Sequence, residues 1–428
     1  MSSSRLPGFY RKSPMERRQA VAQATELSAP DCASLDAALP LQAAAVMVEN
    51  VIGTFALPLA TAVNFRCNGE DVLVPMVVEE PSVVAAVSNM SKLCRRSGGF
   101  KASTTDGVMI GQIQITEADD PNSVIKLLQT HHDALFALAN SCHPRLIERG
   151  GGMRGLHFRS VEYDEPGQRA FSMVVIHFHL DCVDAMGANM VNTIAEALAP
   201  EIERITGQKV GLRILSNLAS ERLSTARCSV PIAHLETAIH SGEFVADGIV
   251  NAYRFAYADP WRAATHNKGI MNGIDPVAIA TGNDWRAIEA GAHAWAARDG
   301  QYRSLSNWWI EGDTLEGKLT LPIQVGTVGG SIKTNPAVAT NLKILGQPNA
   351  RKLSNIMTAV GLAQNLGALR ALACEGIQQG HMRMHARNVA VQAGANEKEL
   401  HKVVQILCAE HSYSLARAEE ALHKLRNP

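Results

Sequence analysis

Several features that mark whole classes of protein are missing from this 428-residue chain. Its eight cysteines (Cys32, Cys67, Cys94, Cys142, Cys182, Cys228, Cys374 and Cys408) are scattered, with no CxxC pair. That pattern argues against a disulfide framework or a cysteine zinc site and for reduced, cytosolic usage. Charge of neither sign predominates: 40 Lys and Arg against 41 Asp and Glu leave a net charge of −1. No basic surface for nucleic acid or an anionic membrane is therefore expected. There is no unbroken apolar run. The most apolar stretch, 37–65, is interrupted by Glu49, Asn50, Pro40, Gly53 and Pro58, so no membrane span is expected. The N-terminus has no signal-peptide core. Internal repeats and low-complexity segments are absent too. The expectation is a soluble, cytoplasmic protein of two or three domains, taking about 150 residues per domain as the guide. Its 46% of hydrophobic residues suffice to fill their cores.

The densest concentration of chemistry lies at 264–287, Ala-Thr-His-Asn-Lys-Gly-Ile-Met-Asn-Gly-Ile-Asp-Pro-Val-Ala-Ile-Ala-Thr-Gly-Asn-Asp-Trp-Arg-Ala. Ionisable and amide groups alternate there with glycines and apolar residues. A solvated loop would be more uniformly polar, and a core helix would carry fewer such groups. The layout predicts two loops that bring Lys268 and Asp284 together, as sites are commonly built on a rigid scaffold. A partly buried Lys–Asp pair keeps its ammonium charged and able to stabilise an oxyanion. The same pair would equally serve to hold two loops together without chemistry.

Around that stretch the pattern reads as mixed helix and strand. Helices are expected at 15–27 and 40–50, a β-branched strand at 71–78, and a helix from Pro81 to about Arg95, with Pro81 as its first residue. Glu79 and Glu80 sit at that strand-to-helix junction, and for Glu79 the reading is a favourable charge at a helix N-terminus. The segment 107–217 then gives strand, helix, two strands about the turn Asp164-Glu165-Pro166-Gly167, helix and strand. This is the split βαβ order of a ferredoxin-like domain, inserted into a larger one. The turn Asp184-Ala185-Met186-Gly187-Ala188-Asn189 leads into its second helix. Small residues there would let a phosphate reach free N–H groups, although a plain strand-to-helix turn explains them as well. A second glycine-rich loop spans 326–331, a long Ala/Leu-rich helix is expected at 351–377, and the tail beyond is a small helical appendage. His381 and His385 share a helix face there, but no third ligand or HExxH motif accompanies them, so no metal is expected.

Four motifs occur in order: Glu49-Asn50-Val51-Ile52-Gly53 with Glu79-Glu80-Pro81-Ser82, then Asp184 to Asn189, then 264–287, then Gly380-His381-Met382. Together they resemble 3-hydroxy-3-methylglutaryl-CoA (HMG-CoA) reductases of the soluble class II type over nearly the whole chain. The resemblance implies an α+β fold with a large substrate domain (1–106 and 218–377), a nicotinamide-cofactor domain (107–217) and a mobile C-terminal flap (378–428). It further implies an obligate homodimer, assembled into a hexamer as a trimer of dimers, and conversion of HMG-CoA to mevalonate and CoA, or the reverse, with two reduced cofactors. By the same likeness Lys268 is the oxyanion stabiliser. Glu80 is the general acid once burial raises its pKa. Asp284 couples Glu80 to Lys268, and His381 protonates the departing CoA thiolate.

Ser82, Arg262, Asn272 and His385 match substrate contacts, with Arg262 suited to the free carboxylate. Asn217 and Asn365 follow from the family's pattern, and Arg11 from a reach toward a CoA phosphate. Asp184, Met186, Gly187, Ala188, Asn189, Gly329 and Gly330 match the cofactor side. One departure bears on cofactor choice. Where NADH-using relatives carry an acid late in the first helix of the cofactor domain, this chain has His143, followed by Arg145. An acid repels a 2′-phosphate, whereas these two tolerate one. The likeness as a whole leans to NADH, with NADPH the alternative. Competing readings are another acyl-CoA-linked oxidoreductase and a non-catalytic CoA- or nucleotide-binding assembly protein.

Overall fold

The computed structural model describes residues 3–36, 39–330, 334–374 and 377–427, and the side chains of all of these except 377–384 and 397–398. Its organising element is the helix Ala350–Cys374, whose Leu353, Ile356, Met357, Val360, Leu362 and Leu366 are fully buried. Around it pack the helices Val83–Cys94, Gly242–Ala258 and Pro260–Ala280 and an antiparallel sheet of four strands. The sheet runs Ser306–Glu311, Thr314–Pro322, Leu223–Pro231, Lys101–Thr104. Alternation along Leu223–Pro231 turns Ala226, Cys228 and Val230 into this core, the period-two pattern of a sheet covered on one face. Ala350–Cys374 is the one described helix long and apolar enough to cross a membrane, and 67% of its most apolar window is buried inside the molecule.

A second core belongs to the segment predicted to be inserted. Its four strands stand in the order Gly152–Tyr163, Phe171–Asp181, Val108–Ile115, Val210–Ser216, every pair antiparallel. With helices between the first and second and between the third and fourth strands in chain order, this is the split βαβ arrangement. Ile176, Phe178 and Leu180 face Val191, Ile194, Leu198 and Ile202 of the helix Ala188–Thr206. Each such side chain contributes about 1.5–3 kcal/mol when fully buried. His177 and His179 alternate onto the opposite face. The last three helices, Ile377–Gln392, Glu397–Ala409 and Leu415–Arg426, close on a small core of their own that includes Val389, Val403, Leu407 and Leu422. Among the described residues no disulfide joins any of the cysteines.

Two local expectations are corrected. The stretch 264–280 is not a pair of loops but most of one helix, Pro260–Ala280, capped by the Asp259 side chain on Arg262 N. Its polar residues are tolerated in a core helix because His266 and Asn267 find interior partners. Pro276 inside the helix removes only the hydrogen bond that would reach the carbonyl of Asn272. The helix after Glu80 begins at Val83 rather than Pro81. Ser82, at φ +73°, occupies the left-handed region and breaks the helical path before it starts.

Candidate active site

The strand Val74–Val77 and the helix Val83–Cys94 are joined by Val78–Ser82, which projects Glu80 toward the helix Pro260–Ala280. There Lys268 Nζ donates to Glu80 Oε2 at 2.8 Å and Asn272 Nδ2 donates to Glu80 Oε1 at 3.2 Å. Lys268 and Asn272 lie one turn apart on one helix face, so a single helix presents both donors. The Glu80 side chain is 33% exposed and that of Lys268 60%, which leaves the pair open to an incoming molecule. Arg262, on the same helix, is half-buried, burial lowers its pKa, and among the described residues it has no ion pair.

Glu80 and Ser82 line a cleft of about 1550 Å³ whose walls also carry Arg5, Arg17, Arg18, Lys92, Arg95, Arg96 and Arg387. Some of these cations are already engaged: Arg95 with Asp71 at 2.7 Å, Arg18 with Asp36, and Arg17 with the carbonyls of Phe9 and Tyr10. Arg11 is exposed, its Nε 2.9 Å from Tyr10 Oη, and it is Tyr10 that reaches the cleft wall.

Among the described residues Asp284 makes no hydrogen bond or ion pair with Glu80 or Lys268. Its carboxylate caps the helix Trp285–Ala296 on Ala287 N at 3.1 Å and lies 3.6 Å from Arg286. The Lys268–Glu80 contact is therefore direct and does not run through Asp284. Asn365, 1% exposed, accepts from Ser306 Oγ at 2.8 Å and Trp308 Nε1 at 2.7 Å and meets His266 at 3.1 Å, so its amide is engaged in the interior. His266 belongs to the same cluster, and burial lowers its pKa to about 3. Asn217 is exposed, and its carbonyl accepts from Gln324. His385 is exposed on the helix Ile377–Gln392, and the side chain of His381 lies outside the described residues.

The proposed cofactor residues cluster around the start of the helix Ala188–Thr206. Gly187 takes φ +105° as its N-cap, with no side chain capping the free N–H groups. A Cβ at Gly187 would stand 2.3 Å from Cys182 Sγ. Gly326 lies against this turn so closely that a Cβ there would meet Met186 N at 2.6 Å. Thr327 N donates to Asp184 O at 2.9 Å, and Gly326 N to Asn283 Oδ1 at 2.8 Å. The turn before Trp285, the glycine loop and the turn 184–189 are thus one continuous surface. The Asp184 carboxylate itself is used structurally, accepting from Ala350 N at 2.9 Å. His143 Nε2 lies 3.2 Å from Met190 O, which brings it to the first turn of the same helix, while Arg145 is exposed. Gly329 and Gly330 follow at φ +80° and +54°.

One further residue holds this junction together. Arg222, 2% exposed, donates to Ala185 O (3.1 Å), Met186 O (3.2 Å) and Val325 O (2.5 Å), tying both turns together. Burial lowers its pKa, and among the described residues it has no ion pair. An isolated Arg in Ser-Glu-Arg-Leu offers no local signal for such a role.

The model of the hydroxymethylglutaryl-coenzyme A reductase family matches residues 13–386. The chain is 48% identical to the 3-hydroxy-3-methylglutaryl-coenzyme A reductase of Archaeoglobus fulgidus, covering 99% of this chain and 95% of that one. It is 34% identical to a probable 3-hydroxy-3-methylglutaryl-coenzyme A reductase of Borreliella burgdorferi, covering 89% and 85%. Among solved structures, the Streptococcus pneumoniae reductase superposes with a TM-score of 0.83 at 44% identity, over 98% of this chain and 99% of that chain. A class II reductase structure from Streptococcus pneumoniae bound to NADPH in open conformations gives a TM-score of 0.81 at 45% identity, over 86% and 99%.

Proposed function

The chain belongs to the hydroxymethylglutaryl-coenzyme A reductase family of NAD(P)-dependent oxidoreductases, and on that premise we propose that it interconverts HMG-CoA with mevalonate and CoA. In the reductive direction one HMG-CoA, two reduced nicotinamides and two protons give mevalonate, CoA and two oxidised nicotinamides, through a hemithioacetal and mevaldehyde. The observation that carries this reading is the Lys268–Glu80–Asn272 constellation, a cation and an acid held at 2.8 Å beside an open cleft.

Reducing a thioester places negative charge on the carbonyl oxygen at each of two stages. Lys268 is the group to stabilise it, since an ammonium fixed on a helix needs no reorganisation as charge develops. Glu80, in contact with Lys268, is the acid that supplies the proton. Asp284, which in this structure caps the helix Trp285–Ala296, remains the coupling candidate between the two by family likeness. His381 is the acid for the CoA thiolate, which needs a proton only after the carbon–sulfur bond breaks. Arg262, half-buried and without an ion pair among the described residues, suits the free carboxylate of the HMG group. The cationic wall formed by Arg5, Lys92 and Arg96 suits the phosphates of CoA, with Ser82 beside the thioester. Asn217, Asn365 and His385 remain substrate-side candidates by family likeness, Asn365 acting through the His266 cluster.

The cofactor-side residues fit a dinucleotide. Uncapped N–H groups at Ala188–Thr206, behind a turn where a Cβ would be obstructed, make a cradle for a diphosphate. When bound, the nicotinamide supplies one hydride at each stage. His143, at the first turn of that helix, and Arg145 would accommodate a 2′-phosphate, while the overall likeness leans to NADH. No metal is required. Residues 107–217 would be the cofactor unit, 1–106 and 218–377 the substrate unit, and 378–428 the flap.

A homodimer, assembled further as a trimer of dimers, is supported by the exposed apolar run around Ile52 and Phe55, 100% and 91% accessible, which a second copy would cover. Cysteines without disulfides among the described residues suit a cytoplasmic setting.

The test follows nicotinamide absorbance with purified protein and HMG-CoA, using NADH and NADPH in parallel. Oxidation that depends on HMG-CoA is expected, and the faster cofactor assigns the role of His143. Absence of turnover with both, and in reverse from mevalonate, CoA and oxidised cofactor, refutes the reading.

A further inference from the structure

The cleft beside Glu80 has a far end that plays no part in the chemistry described so far. The helix Val83–Cys94 runs along it. Val84, Ser88 and Lys92, each one turn beyond the last, all line the cleft, and Arg95 and Arg96 continue that wall past the helix end. Glu80 and Ser82 stand at the start of the same helix. Its 12 residues rise about 18 Å in all. The acid thus lies at one end of a groove of fixed length, and a basic group at the other.

A second wall is the N-terminal segment 5–10, which also lines the cleft. This segment is tied down at both ends. Ser4 is fully buried: its N–H donates to Asp71 Oδ2 at 2.8 Å, its hydroxyl donates to Phe65 O at 2.7 Å, and its carbonyl accepts from Asn64 N at 2.9 Å. Arg95 completes this latch, with Nη2 2.7 Å from the same Asp71 oxygen and Nη1 3.3 Å from Ser4 Oγ. At the other end Arg17 donates to Phe9 O at 3.1 Å and Tyr10 O at 2.9 Å. Because Ser4 bonds to Arg95, Arg5 comes to the end of the cleft where Lys92 and Arg96 stand. Among the described residues the side chains of Arg5, Lys92 and Arg96 make no hydrogen bond or ion pair. Three unpaired cations held together repel one another, and a multiply charged anion between them relieves that repulsion.

We propose that this groove is a ruler for the pantetheine arm: the latched segment fixes Arg5 beside Lys92 and Arg96, and these three hold a phosphate at a set distance from the thioester. The proposal rests on the reductase reading above and names which part of the substrate carries specificity. Between the sulfur and the first phosphorus of CoA lies the equivalent of roughly four residues of extended chain, about 15 Å. With the acyl group added, that length matches the helix. Arg5, Lys92 and Arg96 touch the ligand, whereas Ser4, Asp71 and Arg95 are positioning residues acting through Arg5. A thioester without the phosphates fills the chemical end and leaves the cations unpaired. Attraction at the distant phosphates then no longer helps to orient the reacting end.

Two ligand pairs test this. CoA and pantetheine are compared by calorimetric binding, which needs no turnover, and their HMG thioesters by kcat/KM. Wild type should prefer the CoA form by at least about a hundredfold, the worth of two or more charge-assisted phosphate contacts. R5A should cut that preference about tenfold and K92A/R96A should abolish most of it, while Arg5→Lys should retain most of it. Ser4→Ala touches no ligand and should cut the preference roughly threefold, the effect of losing one neutral hydrogen-bonding group. A merely structural fault would weaken both ligands alike and leave their ratio unchanged. A preference unaltered in folded R5A and K92A/R96A overturns the proposal, as does a wild type that binds CoA and pantetheine equally; an unaltered ratio in Ser4→Ala refutes the latch. Turnover of HMG-CoA without a phosphate-dependent preference sinks the ruler and leaves the reductase reading standing. Phosphate-dependent binding of CoA without turnover does the reverse.

Discussion

Replacing Gly187 by alanine tests whether the turn before Ala188–Thr206 is shaped for a ligand. Two costs are fixed by the geometry. The backbone there has φ +105°, and the new Cβ would stand 2.3 Å from Cys182 Sγ and 3.1 Å from its Cβ. A side chain in that backbone region costs about 1–2 kcal/mol, and overpacking against a fully buried neighbour about 1–3 kcal/mol. Roughly 2–5 kcal/mol is thus available to push the turn aside. Even if only about 1.4 kcal/mol of this appears in binding, the KM for the nicotinamide cofactor rises tenfold. Lys268, Glu80 and Asn272 belong to other elements, so the KM for HMG-CoA should stay within about twofold. Adding Cys182→Ala removes the sulfur contact and should recover the overpacking share but not the backbone strain. Steady-state kinetics with each substrate varied in turn, alongside thermal melting, measures all of this. A G187A variant with wild-type cofactor KM and melting temperature would refute the reasoning, as would equal rises in both KM values.

Other expectations are more direct. Arg222→Met removes three hydrogen bonds to backbone carbonyls at about 1.5 kcal/mol or more each for a charged donor; the cofactor KM should rise at least tenfold in steady-state assays, with partial recovery in Arg222→Lys. Lys268→Ala should reduce HMG-CoA turnover by several orders of magnitude with an unchanged circular dichroism spectrum, and near-normal turnover would sink its oxyanion role. His381→Ala should retain more activity on mevaldehyde, where no thiolate leaves, than on HMG-CoA; equal losses would refute the thiolate-acid assignment. His266 makes the fold acid-labile. Its folded pKa, lowered to about 3 by burial, lies below its unfolded value, so its stabilising contribution is complete above about pH 6.5 and declines as pH falls toward 3. At pH 5 the loss is about 2 kcal/mol, and a flat melting temperature between pH 7 and pH 5 would contradict this.

Much of this was legible in the sequence, for reasons particular to each element. The strand order of the 108–216 sheet could be anticipated because alternation and the Asp-Glu-Pro-Gly turn are local signals, and local signals fix neighbours in a hairpin. The stretch 260–280 does not read as a helix in the sequence because a core helix ordinarily carries fewer polar groups. Burial of His266 and Asn267 depends on partners at 303–306 and 365 that no window around them contains. Lys268 and Glu80 were identified separately, but a contact across 188 residues of chain is decided by packing of the core helices and not by either motif. Arg222 carries no motif, and its importance comes wholly from the three carbonyls that surround it.

That clasp has a practical consequence for protein engineering. Residues 107–217 look like a module to be exchanged among relatives to alter cofactor preference. Yet the turn that would hold the diphosphate is shaped from outside the module, by Arg222, by Gly326 and, through Gly326, by Asn283. A graft cut at those boundaries would set a donor's turn upon a recipient's clasp. Chimeras that carry 222 and 325–327 along with the donor segment should keep cofactor affinity where simpler exchanges lose it, so the unit of inheritance for cofactor choice is larger than the unit of folding.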